Sequence, residues 1–190
     1  MNEQMPYYQA VGVLQGILSQ TEDGLSMTIG ETKVRATARA SLKFWLGTDG
    51  KQYLDSVQNW RCYPRTTKDG QISKVQLVGL ASDEPSIVQI SGRAIESDGI
   101  IKVWIHRNDP KNLERSKSFY LTLNGALGIQ TGAFVRITAI VNNGFLLVIS
   151  GETLANAPKP VRKGKKPIIK SNTKVTSERE QKRKLSYAVG

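Results

Sequence analysis

Two stretches of the chain, residues 7–80 and 86–153, alternate apolar and polar side chains over short segments. In the segment 33–40, valine or alanine occupies every second position, and a basic residue or threonine lies between them. A period of two is typical of β-strands with one buried face. The alternation and the apolar runs predict strands at residues 10–19, 25–29, 33–40, 57–63, 72–80, 86–97, 100–107, 119–123, 134–141 and 145–149.

Turn residues separate the predicted strands and divide the chain. Asp-Gly or Asn-Gly pairs, which suit tight turns because they tolerate positive φ, follow several of the segments. Residues 42–54 lack the period of two and are predicted to be an irregular connector with room for a short helix. The polar stretch Ala81–Pro85 ends in proline and is predicted to be a linker. These boundaries give a first module at residues 1–82 and a second at 83–155.

The two modules share an order of elements and a closing hairpin. The segment NWRCYPRTTKDGQISKVQLVGL resembles AFVRITAIVNNGFLLVISGETL in its apolar entry, its arginine, its polar turn with glycine and its final apolar strand. Each module has a long first strand that contains glycine, two further strands, a connector and this hairpin. That order resembles the OB-fold superfamily, over about 145 residues in all. The resemblance implies an all-β protein with two tandem five-stranded barrels.

A basic tail follows the second module, at residues 156–190. From residue 157 onwards there are eleven basic and two acidic residues, so nine of the eleven net positive charges lie there and the rest of the chain is close to neutral. Its prolines, glycine and lysines predict a flexible, solvated backbone. Clustered cations attract phosphates without reading sequence. The candidate polyanion-binding residues of the tail are Arg162, Lys163, Lys165, Lys166, Lys182, Arg183 and Lys184.

The residues that most enzymes and metal sites use are scarce. The chain has one histidine, His106, and one cysteine, Cys62, and it contains no nucleophile, phosphate-loop or metal-ligand motif. We therefore expect a protein that is not an enzyme and that needs no cofactor or metal. The sequence also has no secretory leader and no apolar run of about 18 residues, which predicts a cytoplasmic protein without membrane association.

The outward faces of the predicted strands suit nucleic acid. In OB folds, strands two and three and their loops form the usual oligonucleotide surface. Cations along such a surface contact phosphates, and exposed aromatic rings stack on bases. The basic and aromatic residues predicted for this surface are Lys33, Arg35, Arg39, Arg61, Tyr63 and Arg65 in the first module, and Lys102, Trp104, His106, Arg107, Tyr120 and Arg136 in the second.

Some of these side chains have a second, structural interpretation. Trp104 fits equally well as a packing residue between the two modules, because exposed tryptophan is uncommon. His106 also fits an ordinary surface imidazole. Trp60 shares the strand parity of Cys62, and both are predicted to point into the core. Trp45, in the connector, is predicted to cap the end of the first barrel.

Together these features predict a protein that binds single-stranded nucleic acid, DNA or RNA, or structured RNA, with low sequence specificity. The barrels supply a surface with stacking residues, and the tail adds electrostatic affinity. The nearly neutral barrel body also fits an alternative. In that alternative, the barrels are a protein–protein scaffold or assembly module, and the basic tail contacts RNA or an acidic partner.

Overall fold

Ten β-strands and one α-helix make up the residues that the computed structural model describes, 7–106 and 118–155. No helix within these ranges is long and apolar enough to cross a membrane. Every strand predicted from the alternation is present, with its ends shifted by four residues at most. The elements are β1 (Gln9–Thr21), β2 (Gly24–Ile29), β3 (Thr32–Ala38), α1 (Ala40–Gly47), a 3-10 helix (Lys51–Tyr53), β4 (Val57–Thr66), β5 (Ile72–Leu80), β6 (Val88–Ser97), β7 (Ile100–Ile105), β8 (Phe119–Asn124), β9 (Phe134–Asn142) and β10 (Phe145–Thr153).

The first five strands form a closed barrel. β1 pairs with β2 and β4, β2 pairs with β3, and β5 lies between β3 and β4. All of these pairings are antiparallel except that of β3 with β5, which is parallel. Closure pairs the edges that an open sheet would expose. The connector between β3 and β4 contains α1, whose Leu46 is buried. The sequence leaves room for a short helix in this connector, and α1 is that helix.

β1 is long enough to pair with three strands in succession. Its residues 9–12 pair with β6, 12–17 with β4 and 17–21 with β2. The strand changes partner at Gly12, where a Cβ would lie 2.6 Å from the carbonyl oxygen of Ile87. Glycine is therefore required there, because any side chain would collide with the neighbouring backbone.

The five further strands continue from this shared strand. β6 pairs with β7 and β9, β7 pairs with β8, and β9 pairs with β10. β8 and β10 meet through one parallel residue pair, Leu147↔Asn124. The inward residues of all ten strands form one hydrophobic cluster, which includes the fully buried Leu14, Trp60, Ile101 and Leu121. Burial of each such side chain contributes roughly 1.5–3 kcal/mol, and this burial holds the two sets of strands in place.

A second junction joins the barrel to the further strands around the turn after β4. The backbone N–H of Thr122 donates to Oγ1 of Thr66 at 2.8 Å, and the N–H of Ile72 donates to the carbonyl of Gly144 at 2.7 Å. The guanidinium of Arg65 lies 3.4 Å from the centre of the Phe119 ring, a cation–π contact. All described residues thus belong to one compact unit.

The predicted core residues of the barrel are confirmed. Trp60 and Cys62 have no exposed surface. Burial raises the pKa of the Cys62 thiol to about 12. Trp45 packs against the core from α1 and stacks on Tyr53, with ring centres 5.6 Å apart and planes inclined by 21°.

One carboxylate fixes the segment between β8 and β9. Glu96 accepts hydrogen bonds from the backbone N–H groups of Ile129 at 2.8 Å, Leu127 at 3.1 Å and Gly128 at 3.2 Å. These donors favour the charged carboxylate, and the bond from Ile129 contributes most to holding the pKa of Glu96 below its ordinary value. The carboxylate thus accepts hydrogen bonds from loop N–H groups that would otherwise bond to water.

Candidate nucleic-acid interface

Two of the predicted cations are engaged in ion pairs. Arg61 on β4 pairs with Glu84, and Nη1 of Arg136 on β9 lies 2.9 Å from Oε1 of Glu152 on β10. A carboxylate this close offsets part of the attraction that the arginine would exert on a phosphate. Arg61 and Arg136 are therefore less available to bind a phosphate than the predicted cations that form no ion pair.

Three cations lie side by side across the outer face of the barrel. In the strand register, Arg35 on β3 is opposite Lys74 on β5, and Lys74 is opposite Arg65 on β4. Neighbouring strands are about 4.8 Å apart, so the three form a short line perpendicular to the strands. We call Arg35, Lys74 and Arg65 the cation row. Lys33 is exposed two residues before Arg35, on the same face.

The two exposed members of the cation row are not in direct contact with a carboxylate of the described residues, although Asp23 lines the same cavity as Arg35. Arg35 and Lys74 are exposed and form no ion pair with any residue that the structure describes. Like charges on directly opposite strand positions destabilise a sheet. The fold therefore loses some stability by placing these two cations together.

A groove lies between the barrel and the further strands, next to the cation row. Its volume is about 540 Å³, within the range of ligand-binding clefts. It is lined by Tyr7, Tyr8, Gln9, Ala10, Val11, Arg39, Tyr63, Arg65, Gln76, Ile105, His106 and Phe119. The structure thus brings Arg39, Tyr63 and Arg65 of the first predicted set together with His106 of the second.

The chemistry of this groove is cationic and aromatic. No aspartate or glutamate is among its lining residues in the described part of the chain. Tyr7 is 54% exposed and Tyr63 is 38% exposed, so both rings present surface to a ligand. Nδ1 of His106 is 2.9 Å from Oγ of Ser118, which leaves Nε2 as the imidazole nitrogen that can contact a ligand.

Trp104 lies on the outer face of β7 and is half-buried. Its ring meets Tyr8 edge-on at 5.6 Å between centres and His106 at 5.5 Å with a tilt of 36°. Tyr8 precedes β1, so this contact is the packing arrangement that the second interpretation of Trp104 describes. Tyr120, opposite Trp104 in the register of β7 and β8, is 55% exposed and offers the larger stacking surface.

The remaining predicted residues lie apart from the groove or outside the described residues. Lys102 is exposed on β7, on the same strand face as Trp104, but it does not line the groove. Arg107 and the tail residues lie outside the described residues.

Sequence analysis missed Lys74 and Gln76. Their outward positions on β5 follow from alternation, but their neighbours depend on the parallel pairing of β3 with β5.

The described residues contain no group of three or more histidine, cysteine, aspartate or glutamate side chains that could hold a metal ion. Comparisons of the chain with protein-family models, with curated proteins and with solved structures produced no match. The function must therefore be inferred from the arrangement of the residues themselves.

Proposed function

We propose that this protein binds single-stranded nucleic acid, without catalysing a reaction, through the outer face of β3, β5 and β4. The observation that supports the proposal most is the cation row, because Arg35 and Lys74 lie together without a carboxylate partner in the described residues. A polyanionic ligand supplies the missing counter-charge. Its phosphates lie along the row, and the counterions that they release provide the affinity.

The proposal extends to the fold of both sets of five strands, β1–β5 and β6–β10, which we call the two halves. The pairing β1–β2–β3–β5–β4–β1, with a parallel β3–β5 pair and a helix before β4, is the arrangement expected of an OB fold. The pairing β6–β7–β8–β10–β9–β6 repeats this order. Both halves are then OB-type modules, whose outer faces bind oligonucleotides in many proteins.

Low sequence specificity follows from the kind of contact. Lysine and arginine that meet phosphates position a strand but do not distinguish bases. Stacking on tyrosine is similarly tolerant, because every base has an aromatic face. Exposed Tyr63 and Tyr120 are two rings of the described fold that can contribute such stacking.

The test is a fluorescence-anisotropy titration of the full-length protein across a salt series, with labelled single-stranded DNA, single-stranded RNA and duplex DNA. The wild type is compared with a double variant, Arg35→Gln with Lys74→Gln. A matched control carries Lys51→Gln and Lys68→Gln, which remove the same charge from two exposed positions that line neither the groove nor the cavity beside Arg35.

We expect the slope of log affinity against log salt to decrease by about 1.4 in the double variant, since each single-strand phosphate contact contributes about 0.7. The control should change the slope by much less. If the double variant binds as tightly as the wild type at every salt concentration, the barrel face is not the site. Binding would then belong to the tail, and the barrels would be better explained as a protein-docking module.

A further inference from the structure

We infer that the groove lined by Tyr7, Tyr63 and Gln76 receives an unstacked base of the bound strand. The inference rests on the proposed function, because it assigns a base-binding role to a cavity beside the phosphate-binding row. The groove differs from the face of strands two and three on which the sequence resemblance placed the ligand. It is formed where β4 and β5 of the barrel meet the ends of β7 and β8.

The first argument is the composition of the groove. Two partly exposed tyrosine rings supply aromatic faces, and Gln76 supplies an amide that can both donate and accept hydrogen bonds. A nucleobase offers the complementary features, namely a flat aromatic face and an edge of donors and acceptors. The amide can rotate to suit different bases, so such a site fits a binder of low specificity.

The second argument is the position of the groove relative to the cation row. Tyr63 is opposite Gln76 in the register of β4 and β5, and Arg65 is opposite Lys74 in the same register. The two pairs are separated by two residues along each strand, about 7 Å. A nucleotide whose phosphate contacts Lys74 can therefore place its base against Tyr63.

The third argument is charge. The lining contains the guanidinium groups of Arg39 and Arg65, and no carboxylate among the described residues. Arg39 is exposed and forms no ion pair with a described residue. A site of this character favours a ligand with a negative charge close to an aromatic ring, and a nucleotide within a single strand has both. In a duplex, the base is paired and stacked, so it cannot enter without being flipped out.

The test compares two labelled single strands of equal length and equal phosphate number. One carries ordinary bases, and the other is abasic at every position. Affinity is measured by anisotropy with the full-length wild type, with Tyr63→Ala and with Tyr63→Phe. Phe44→Ala is the matched control, because Phe44 is a 75% exposed aromatic residue on α1, outside the groove lining. Tyr7→Ala is a second groove variant, which keeps the test valid if the first one folds poorly.

We expect the wild type to prefer the base-containing strand by at least about fivefold, the lower limit for stacking of one base. Tyr63→Ala and Tyr7→Ala should reduce this preference without changing the affinity for the abasic strand or the salt slope. Tyr63→Phe and Phe44→Ala should behave like the wild type.

Two results would overturn the inference. If the wild type binds both strands equally while Lys74→Gln still weakens binding, the groove is not a base site but the proposed function stands. The same conclusion holds if both groove variants keep the full preference for bases. If neither strand binds, the proposed function itself fails.

Discussion

Replacing Lys74 by glutamine removes one positive charge from the middle of the cation row and keeps most of the side-chain length. If Lys74 is present for ligand binding, the change should weaken binding and leave the fold at least as stable. If Lys74 is present for the fold, the change should destabilise it. The two explanations therefore predict opposite signs for the change in the free energy of unfolding.

The expected gain in stability is small. Arg35 is directly opposite Lys74, and both side chains are exposed. If the two charged groups are taken to be about 7 Å apart, they repel in water by about 0.6 kcal/mol. Screening at physiological ionic strength reduces this repulsion to about 0.25 kcal/mol, since the Debye length is about 8 Å. Arg65, opposite Lys74 on its other side, carries a third positive charge and adds to this repulsion.

The expected loss of affinity is larger and depends on salt. One single-strand phosphate contact contributes about 0.7 to the salt slope, which corresponds to about fourfold in affinity at 0.15 M salt and about eightfold at 0.05 M. The difference between variant and wild type should therefore shrink as salt rises towards 1 M. A lost hydrogen bond to a base would give a difference that changes little with salt.

Urea unfolding gives the stability of each protein, and anisotropy titration with a labelled single strand gives the affinity. Lys51→Gln is the control, because it removes the same charge from an exposed position outside the row. A loss of stability above about 0.5 kcal/mol in Lys74→Gln would refute the reasoning, since like-charge neighbours cannot stabilise a strand pair. An unchanged salt slope would refute the phosphate contact.

Three further predictions concern the fold. The pKa of Glu96 is lower in the folded protein than its ordinary value of 4.5. The stability that this carboxylate contributes is therefore complete above pH 4.5 and is lost as the pH falls through the folded-state pKa. The variant Glu96→Gln should accordingly melt at a lower temperature than the wild type at pH 7, and the difference should shrink in acid. Thermal melts at several pH values measure this, and a constant difference between the two proteins would contradict it. Cys62, buried and with a pKa of about 12, should not react with a thiol reagent at pH 8 until urea unfolds the protein, and rapid labelling without urea would show that the barrel opens. Gly12→Ala should cost more than about 1 kcal/mol in urea unfolding because its Cβ would collide with the carbonyl of Ile87, whereas Gly47→Ala, at an open helix position, should cost little.

Sequence reasoning succeeded where the determining interaction is local. The alternation of residues 33–40 placed Val34 and Ala36 inside and Lys33 and Arg35 outside, and the burial of these residues confirms it. The same parity argument put Trp60 and Cys62 in the core, where both have no exposed surface. In each case, the period of two within a single strand determines which side chains point into the core. The neighbouring strands therefore do not need to be known.

The same reasoning could not identify interactions between distant segments. Lys74 becomes a neighbour of Arg35 only because β5 lies parallel to β3, and nothing in either strand states that pairing. Likewise, Arg61 looked available until the fold brought Glu84, 23 residues further along the chain, into contact with it. The candidate site was therefore predicted in its residue types, whereas the register decides which of those residues act together.

The groove is a property of the whole described fold. Arg39, Tyr63 and Gln76 come from the barrel, whereas His106 and Phe119 come from the further strands. A ligand in the groove contacts both halves and is released when they separate, so it must stabilise the folded protein. The gain is about 2.7 kcal/mol when the free ligand is at one hundred times its dissociation constant. Addition of a saturating single strand should therefore raise the melting temperature of the wild type, and it should do so less for Tyr63→Ala at the same total concentration. A melting temperature unchanged by a strand that is demonstrably bound would exclude both the row and the groove as its site.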